Sequence, residues 1–206
     1  MLEKEMYLKR MFKKLHIIIS IFIAFFFLNI LEASDKEQIY KIKTFKYLTN
    51  IDEFESRFIQ IQENDIQKGS FFKKKNRLRV NYDEPSNIVF VIKKNSAMYY
   101  NKNLGEVQYF NTKKNNTKVF FDLFNDINFL DDAEFLFINN MFHFSKTIEI
   151  GNEINLIKIF FEESPIRLRK IEIKNNEIKT IFYINNMNFN PNFEDDFFSL
   201  ANPLIN

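Results

Sequence analysis

The side chains that could carry acid–base, nucleophilic or metal chemistry are few and poorly spaced for it. The chain has 206 residues, no cysteine and two histidines, His16 and His143. His16 falls in an apolar N-terminal run. His143 falls in Met141-Phe142-His143-Phe144, where a lone histidine reads as a packed or edge residue of an apolar strand. A Ser-His-Asp arrangement would need His143 as its base, yet no serine stands in a G-x-S-x-G elbow. A zinc site normally takes several Cys or His ligands, so no metal is expected. The carboxylate pairs Asp131-Asp132, Glu162-Glu163 and Asp195-Asp196 are the residue types of glycoside hydrolysis. Adjacent residues on a strand point to opposite faces, however, so each pair reads as a solvated turn. Neither a Walker A sequence nor a Rossmann glycine pattern is present, and no cofactor is expected. The expectation is binding without chemistry, not an enzyme.

The elements that would position a binding site begin after an export signal. Lys9, Arg10, Lys13 and Lys14 precede an apolar run from Leu15 to Leu31, which ends at Leu31-Glu32-Ala33-Ser34 before the chain turns polar. A charged start, an apolar core and a small residue at the exit describe a secretory signal peptide, residues 1–33. Met11-Phe12-Lys13-Lys14 is itself a compact start, so translation from Met11 is an alternative. The run is also near the lower length limit of a membrane span, which keeps an uncleaved anchor open as the second reading.

Residues 34–206 are enough for one domain with a real core. The N-terminal segment takes away Lys4, Lys9, Arg10, Lys13 and Lys14 against Glu3, Glu5 and Glu32. From totals of 29 basic and 27 acidic residues, the remainder is left formally neutral. A neutral domain is a poor nucleic-acid binder, because that binding rests on neutralising phosphates. The lack of cysteine means no disulfides in an exported chain. Twenty-seven phenylalanines with no tryptophan and three glycines have two readings. One is a nucleotide bias toward Phe, Ile, Lys and Asn codons; the other is an aromatic-lined cavity.

Periodicity predicts a helix over Asp35–Leu48, with Ile39, Ile42, Phe45 and Leu48 at three-residue steps and Ser34 or Asp35 as cap. From Ile51 the period is two. Phe54, Ser56, Phe58, Gln60 and Gln62 share one face; Glu53, Glu55, Arg57, Ile59 and Ile61 share the other. A turn is expected at Asn64-Asp65. Strands are expected at Phe71-Phe72, Leu78–Tyr82, Ile88–Ile92, Ala97–Tyr100 and Glu106–Phe110. Helices are expected at Thr117–Asp126 and Asp131–Phe137. Further strands are expected at Phe142–Ile150, Leu156–Glu162, Arg169–Ile173 and Ile178–Tyr183, with an irregular tail from Phe189 to Pro203. The fold class is mainly β (α+β): one curved antiparallel sheet with helices on its open side.

Several segments, in order, resemble the LolA family of periplasmic lipoprotein carriers, in the style of its alphaproteobacterial members. Phe54-x-x-x-Phe58-x-Gln60 is similar to that family's F-x-A-x-F-x-Q strand. Gly69-Ser70-Phe71-Phe72 and Arg77-Leu78-Arg79-Val80-x-Tyr82-x-x-Pro85 are similar to its G-x-(aromatic) and R-(apolar)-R-(apolar)-x-Y-x-x-P stretch. Ile88-Val89, Tyr99-Tyr100-Asn101 and Val107-Gln108-Tyr109 follow its next strands, and Thr117 to Leu123 takes the place of its T-P-(apolar)-x-L-L helix. Asn175 to Ile181 stands where members have D-x-x-G-x-x-T. Phe189-Asn190 and Phe198-x-Leu200-x-Asn202-Pro203 resemble its C-terminal F-N and F-x-x-x-N-P. The departures are Lys73-Lys74-Lys75-Asn76 in the region of the family's Arg-Pro, no proline after Thr117, and no glycine in the G-x-x-T position. A lysine lacks the planar fork by which an arginine would latch a lid.

The resemblance implies an incompletely closed barrel with lid helices over an apolar cavity. It implies a carrier in the periplasm that takes acylated lipoproteins from an inner-membrane ABC-type releasing complex to an outer-membrane receptor or membrane, as a monomer. With that fold, the lipid-accessible lining is expected to be Phe58, Phe71, Val80, Tyr82, Phe90 and Tyr100 of the sheet with Phe120 and Phe124 of a lid helix. The receptor relative of the same fold needs a lipidated N-terminal cysteine, and this chain has none to offer. The readings from other classes are a signal-anchored or secreted β-rich binding or structural protein, and an exported hydrolase.

Overall fold

The computed structural model describes residues 36–112, 117–126, 128–138, 140–175 and 177–205. The expected signal peptide, residues 1–33, and the alternative start at Met11 lie outside the described residues. Helix α1 is described over residues 36–49. The strands that follow are β1 Glu53–Gln62, β2 Asp65–Lys74, β3 Arg77–Tyr82, β4 Ile88–Lys93, β5 Ser96–Asn101 and β6 Glu106–Asn111. Helix α2, Thr117–Asn125, leads to β7 Glu134–Ile138, β8 Met141–Ile150, β9 Glu153–Glu163, β10 Ile166–Lys174 and β11 Lys179–Asn188. No described helix is long and apolar enough to cross a membrane.

The eleven strands form one antiparallel sheet in the order β6-β5-β4-β3-β2-β1-β11-β10-β9-β8-β7. Two meanders, β1 to β6 and β7 to β11, are joined where β1 pairs with β11. The sheet is not closed: β6 and β7 are its two edges, and α2 lies on the connection between them. The architecture is a half-barrel with helices, as the sequence predicts. The tight loops Glu63-Asn64, Lys75-Asn76 and Lys94-Asn95 each open on a residue of positive φ. Such loops match the twist of hairpin strands and favour glycine, which this chain scarcely uses. The first of them sits one residue before the expected Asn64-Asp65 turn.

Each face of the sheet has its own core. On the face under α2, here the inner face, β1 contributes Phe54, Ser56 and Phe58, all buried, in the expected period of two. Arg57, from the intervening row, is exposed and paired with Asp83. Farther along the same face, Phe142, Phe144, Ile157, Ile159, Phe161, Leu168, Ile171 and Ile173 are buried. Tyr47 of α1 covers part of this surface. Its ring meets Phe161 edge-on at 6.2 Å, and its hydroxyl accepts the Leu168 N–H at 3.2 Å. On the outer face, Val89, Val91 and Met98 pack under the irregular tail through Phe193 and Phe198. Arg79 fastens that tail: its guanidinium lies 4.3 Å from the Phe197 ring centre and donates to the Phe197 carbonyl at 2.6 Å.

The chain falls into two units divided between Lys43 and Thr44, inside α1. In the first, Glu37 and Lys41 form an i,i+4 pair at 2.9 Å. In the second, Thr44, Leu48 and Ile51 are buried, while Phe45 is exposed. The row Ile39, Ile42 and Phe45, whose three-residue spacing predicts the helix, is exposed throughout. A strict three-residue step lags behind the 3.6-residue turn and drifts around the helix, so only Leu48 of that row reaches the buried side. The helix expected at Asp131–Phe137 is instead a turn followed by strand β7. There Phe135 packs on Phe144 at 5.6 Å and Phe142 at 5.7 Å, while Leu136 and Ile138 point outward.

Phe54 is fully buried, with ring contacts to Phe71 at 5.5 Å and Phe124 at 5.2 Å. Phe54→Ala should lower unfolding free energy by about 3–5 kcal/mol in denaturant titrations. Tyr183→Ala, on the exposed outer face, should cost under about 1 kcal/mol. Equal losses at the two positions would contradict this placement of the core.

Candidate ligand-binding pocket

The pocket is built where the middle strands leave the inner face only partly covered. Strand pairing brings Phe58 of β1 opposite Ile184 of β11 and Gly69 of β2; Gly69 lies opposite Tyr82, and Phe71 opposite Val80. Val80 in turn lies opposite Phe90 of β4. These residues form a floor, with Phe182 beside them. Helix α2 forms the roof. Val119 and Leu123 are buried and Lys118 pairs with Asp122 one turn on, which leaves Phe120 turned toward the floor. The cavity measures about 180 Å³, smaller than the roughly 300–1,000 Å³ of sites that enclose a whole small organic ligand.

Aromatic edges and faces set its walls. Phe120 meets Phe182 edge-on at 4.8 Å and Phe71 at 5.8 Å. Phe58 meets Tyr82 edge-on at 5.2 Å, and Tyr82 meets Phe90 at 6.0 Å. Such offset arrangements stabilise beyond burial alone by about 0.5–1.5 kcal/mol a pair. Gly69 is required here by close approach: a β-carbon would stand 2.7 Å from the Phe58 ring and 2.2 Å from the Asn81 carbonyl oxygen.

Toward the β1–β2 loop the lining becomes polar but not charged. The Tyr82 hydroxyl donates to Gln60 Oε1 at 2.5 Å, and the Thr180 hydroxyl donates to Gln62 Oε1 at 3.1 Å. Burial pushes the Tyr82 phenol up to about 12, so it keeps its proton throughout the physiological range. None of the described lining residues is charged. Lys73, farther along the inner face, is buried and donates to the carbonyls of Ile51 at 2.6 Å and Asp52 at 3.3 Å. Burial lowers its pKa. It thus ties β2 to the connection between α1 and β1.

The groups that could serve catalysis stand elsewhere. His143 is buried against Phe160 at 4.7 Å on the outer face, where burial above all, then the Lys158 charge, holds its pKa below the usual value. Glu162 is paired with Arg169, and Asp132 with Lys146. Asp131, Asp195 and Asp196 are exposed. Among the described residues no group of three His, Cys, Asp or Glu side chains is placed to hold a metal. A second, broader depression contains the Glu162–Arg169 pair and Tyr183.

Of the expected lining, Phe58, Phe71, Val80, Tyr82, Phe90 and Phe120 come together around this cavity. Tyr100 does not. It faces the outer cluster of Val89, Val91 and Met98, and its neighbour Tyr99 meets Phe90 at 5.3 Å instead. Two adjacent tyrosines on a strand carry no signal of which one points inward; the pairing turns Tyr99 inward and Tyr100 outward. Phe124 also lies outside the lining, buried between Phe54 and Phe71 as part of the helix's seat. Gln60, Gln62, Thr180 and Phe182 were not among the expected site residues. The alternation had placed Gln60 and Gln62 on the face of Phe58, which was the signal available for them.

No family model and no curated protein sequence matches the chain. Solved structures do resemble it in fold. An uncharacterized conserved protein from Thermus thermophilus superposes with a TM-score of 0.51 at 6% identity, covering 82% of this chain and 94% of that one. A DUF1329 family protein from Desulfovibrio piger gives 0.47 at 7% identity, over 79% of this chain and 97% of its own. LprF from Mycobacterium bovis gives 0.42 at 9% identity, over 74% and 93%.

Gly69→Ala should destabilise the protein by about 1–3 kcal/mol, because the added methyl displaces the Phe58 ring or the Asn81 strand. Thermal unfolding measures the cost. A neutral result would contradict the close approach that shapes the floor.

Proposed function

We propose that the protein is an exported carrier that shields the acyl chains of lipoproteins between the inner and the outer membrane. The observation that carries this reading is the pocket between the inner face and α2, with the half-exposed ring of Phe120 standing in it. The order and spacing of motifs resembling the LolA family add to it. Each CH₂ of an acyl chain moved into water costs about 0.8 kcal/mol, so a triacylated protein faces a barrier on the order of tens of kcal/mol. A carrier removes that barrier by offering an apolar surface that is already partly desolvated.

In this reading α2 is a lid. Empty, it lets Phe120 fill the space above Phe71 and Phe182. Loaded, it lifts, and acyl methylenes take over those ring contacts. The two states must differ by only a few kcal/mol, or the cargo would either fail to enter or fail to leave. Cargo arrives from an ATP-driven releasing complex in the inner membrane and is handed to an outer-membrane receptor or to the membrane itself. The carrier works in the periplasm, as a monomer, and hydrolyses nothing. The groups usable for hydrolysis, His143 and the acidic pairs, are spent on packing, on ion pairs or on solvent.

The charge-bearing variant Phe120→Glu tests the lid. An unpaired carboxylate between Phe71 and Phe182 is costly by several kcal/mol. The sheet should stay folded by circular dichroism, and the folded fraction should bind an acylated peptide at least tenfold more weakly. Unchanged affinity in the folded fraction would mean that Phe120 anchors a structural helix and that the pocket is not where acyl chains bind.

A further inference from the structure

The pocket has two chemically distinct ends. At one, Phe58, Phe71 and Phe120 offer only apolar surface. At the other, Gln60 and Gln62 stand two residues apart on β1, beyond Phe58 in the same inward row. Each has its amide oxygen engaged from within the fold. Tyr82 donates to Gln60 Oε1 at 2.5 Å, and Thr180 donates to Gln62 Oε1 at 3.1 Å. With its oxygen engaged, each amide keeps its NH₂ group as a donor. The rung therefore offers N–H donors to a ligand, and the described lining offers no cation. Neutral donors suit a neutral acceptor. A carboxylate or phosphate placed there would lose its hydration without meeting an opposite charge.

Resting on the carrier reading above, we propose that Gln60 and Gln62 form a headgroup subsite that donates hydrogen bonds to the ester or amide carbonyl of an acylated molecule. The hydrocarbon tail then runs toward Phe58, Phe71 and Phe120. The subsite orients the chain, polar end toward the β1–β2 loop, and selects esterified or amidated acyl groups over free fatty acids. Tyr82 and Thr180 are positioning residues: their hydroxyls hold the two amide oxygens. Tyr82 remains a donor to Gln60 at every physiological pH, because burial keeps its phenol protonated.

The test compares monopalmitoylglycerol with palmitate, which share a chain and differ in the neutral ester against the carboxylate. Each displaces N-phenyl-1-naphthylamine, an uncharged fluorescent probe, from the purified protein. Monopalmitoylglycerol should displace it at roughly tenfold lower concentration than palmitate, the scale of one or two well-made hydrogen bonds in a desolvated site. In the variant Gln60→Met, Gln62→Met, which keeps side-chain length and removes the donors, that preference should vanish while both ligands still bind. Gln62→Met alone should reduce it part way, and serves if the double variant does not fold. Equal displacement by the two ligands in the unmodified protein, or a preference that survives both substitutions, overturns the subsite and leaves the acyl pocket standing. Failure of both ligands to displace the probe overturns the acyl pocket as well.

Discussion

The structure depends on one constraint: a wide antiparallel sheet that does not close must cover two apolar faces with very little chain. Eleven strands end in two unpaired edges, β6 and β7. A closed barrel would hide its inner residues by curvature alone, whereas an open one needs separate cover. The outer face is covered by an irregular tail, pinned by Arg79 and by the rings of Phe193, Phe197 and Phe198. The inner face is covered by the C-terminal part of α1, by the loop around Phe129 and by the nine residues of α2. That short helix does not reach across all of the central strands. The shortfall is the pocket.

The same shortage of cover explains the character of the site. Along β1 the inward row passes from the fully buried Phe54, under Phe124, to Phe58, buried in the pocket floor, and then to the half-buried Gln60 and Gln62. Burial, cavity and polar rim are thus successive positions of one strand. One edge-to-face pair, Phe120 on Phe182, and tilted contacts of Phe120 with Phe71 and of Phe124 with Phe54 hold α2 in place. Aromatic contacts of this kind are individually worth about a kcal/mol, and the burial of Val119 and Leu123 adds to the hold on the helix.

The sequence made much of this legible where one row was apolar and its neighbour was not. The alternation over residues 53–62 gave the register of β1, and Val119, Phe120, Leu123 and Phe124 gave α2 through their helical spacing. The reading failed where both rows look alike. In Phe135-Leu136-Phe137-Ile138 every position is apolar, so the period of two is invisible, and pairing with β8 decides the strand. Tyr99 and Tyr100 are indistinguishable for the same reason. On α1 the apolar residues at three-residue steps mark the helix but not its buried face: the helical turn places Thr44 and Leu48 there and leaves Phe45 outside. The tail's role over Val89 and Val91 had no periodic signal at all, since an irregular segment has none. The alternation puts Gln60 and Gln62 on the inward row with Phe58, while their partners Tyr82 and Thr180 are distant in sequence.

The most direct test of the account is to find where an acyl chain lies. A diazirine placed at the end of a palmitoyl chain on a peptide, photolysed in the protein's presence, labels whatever the tail touches. Peptide mapping by mass spectrometry should find the label on the segments carrying Phe58, Phe71, Phe120 and Phe182. Label confined to the outer face, around Phe160 and Tyr183, or scattered over the surface with the pocket segments unmodified, would contradict the account.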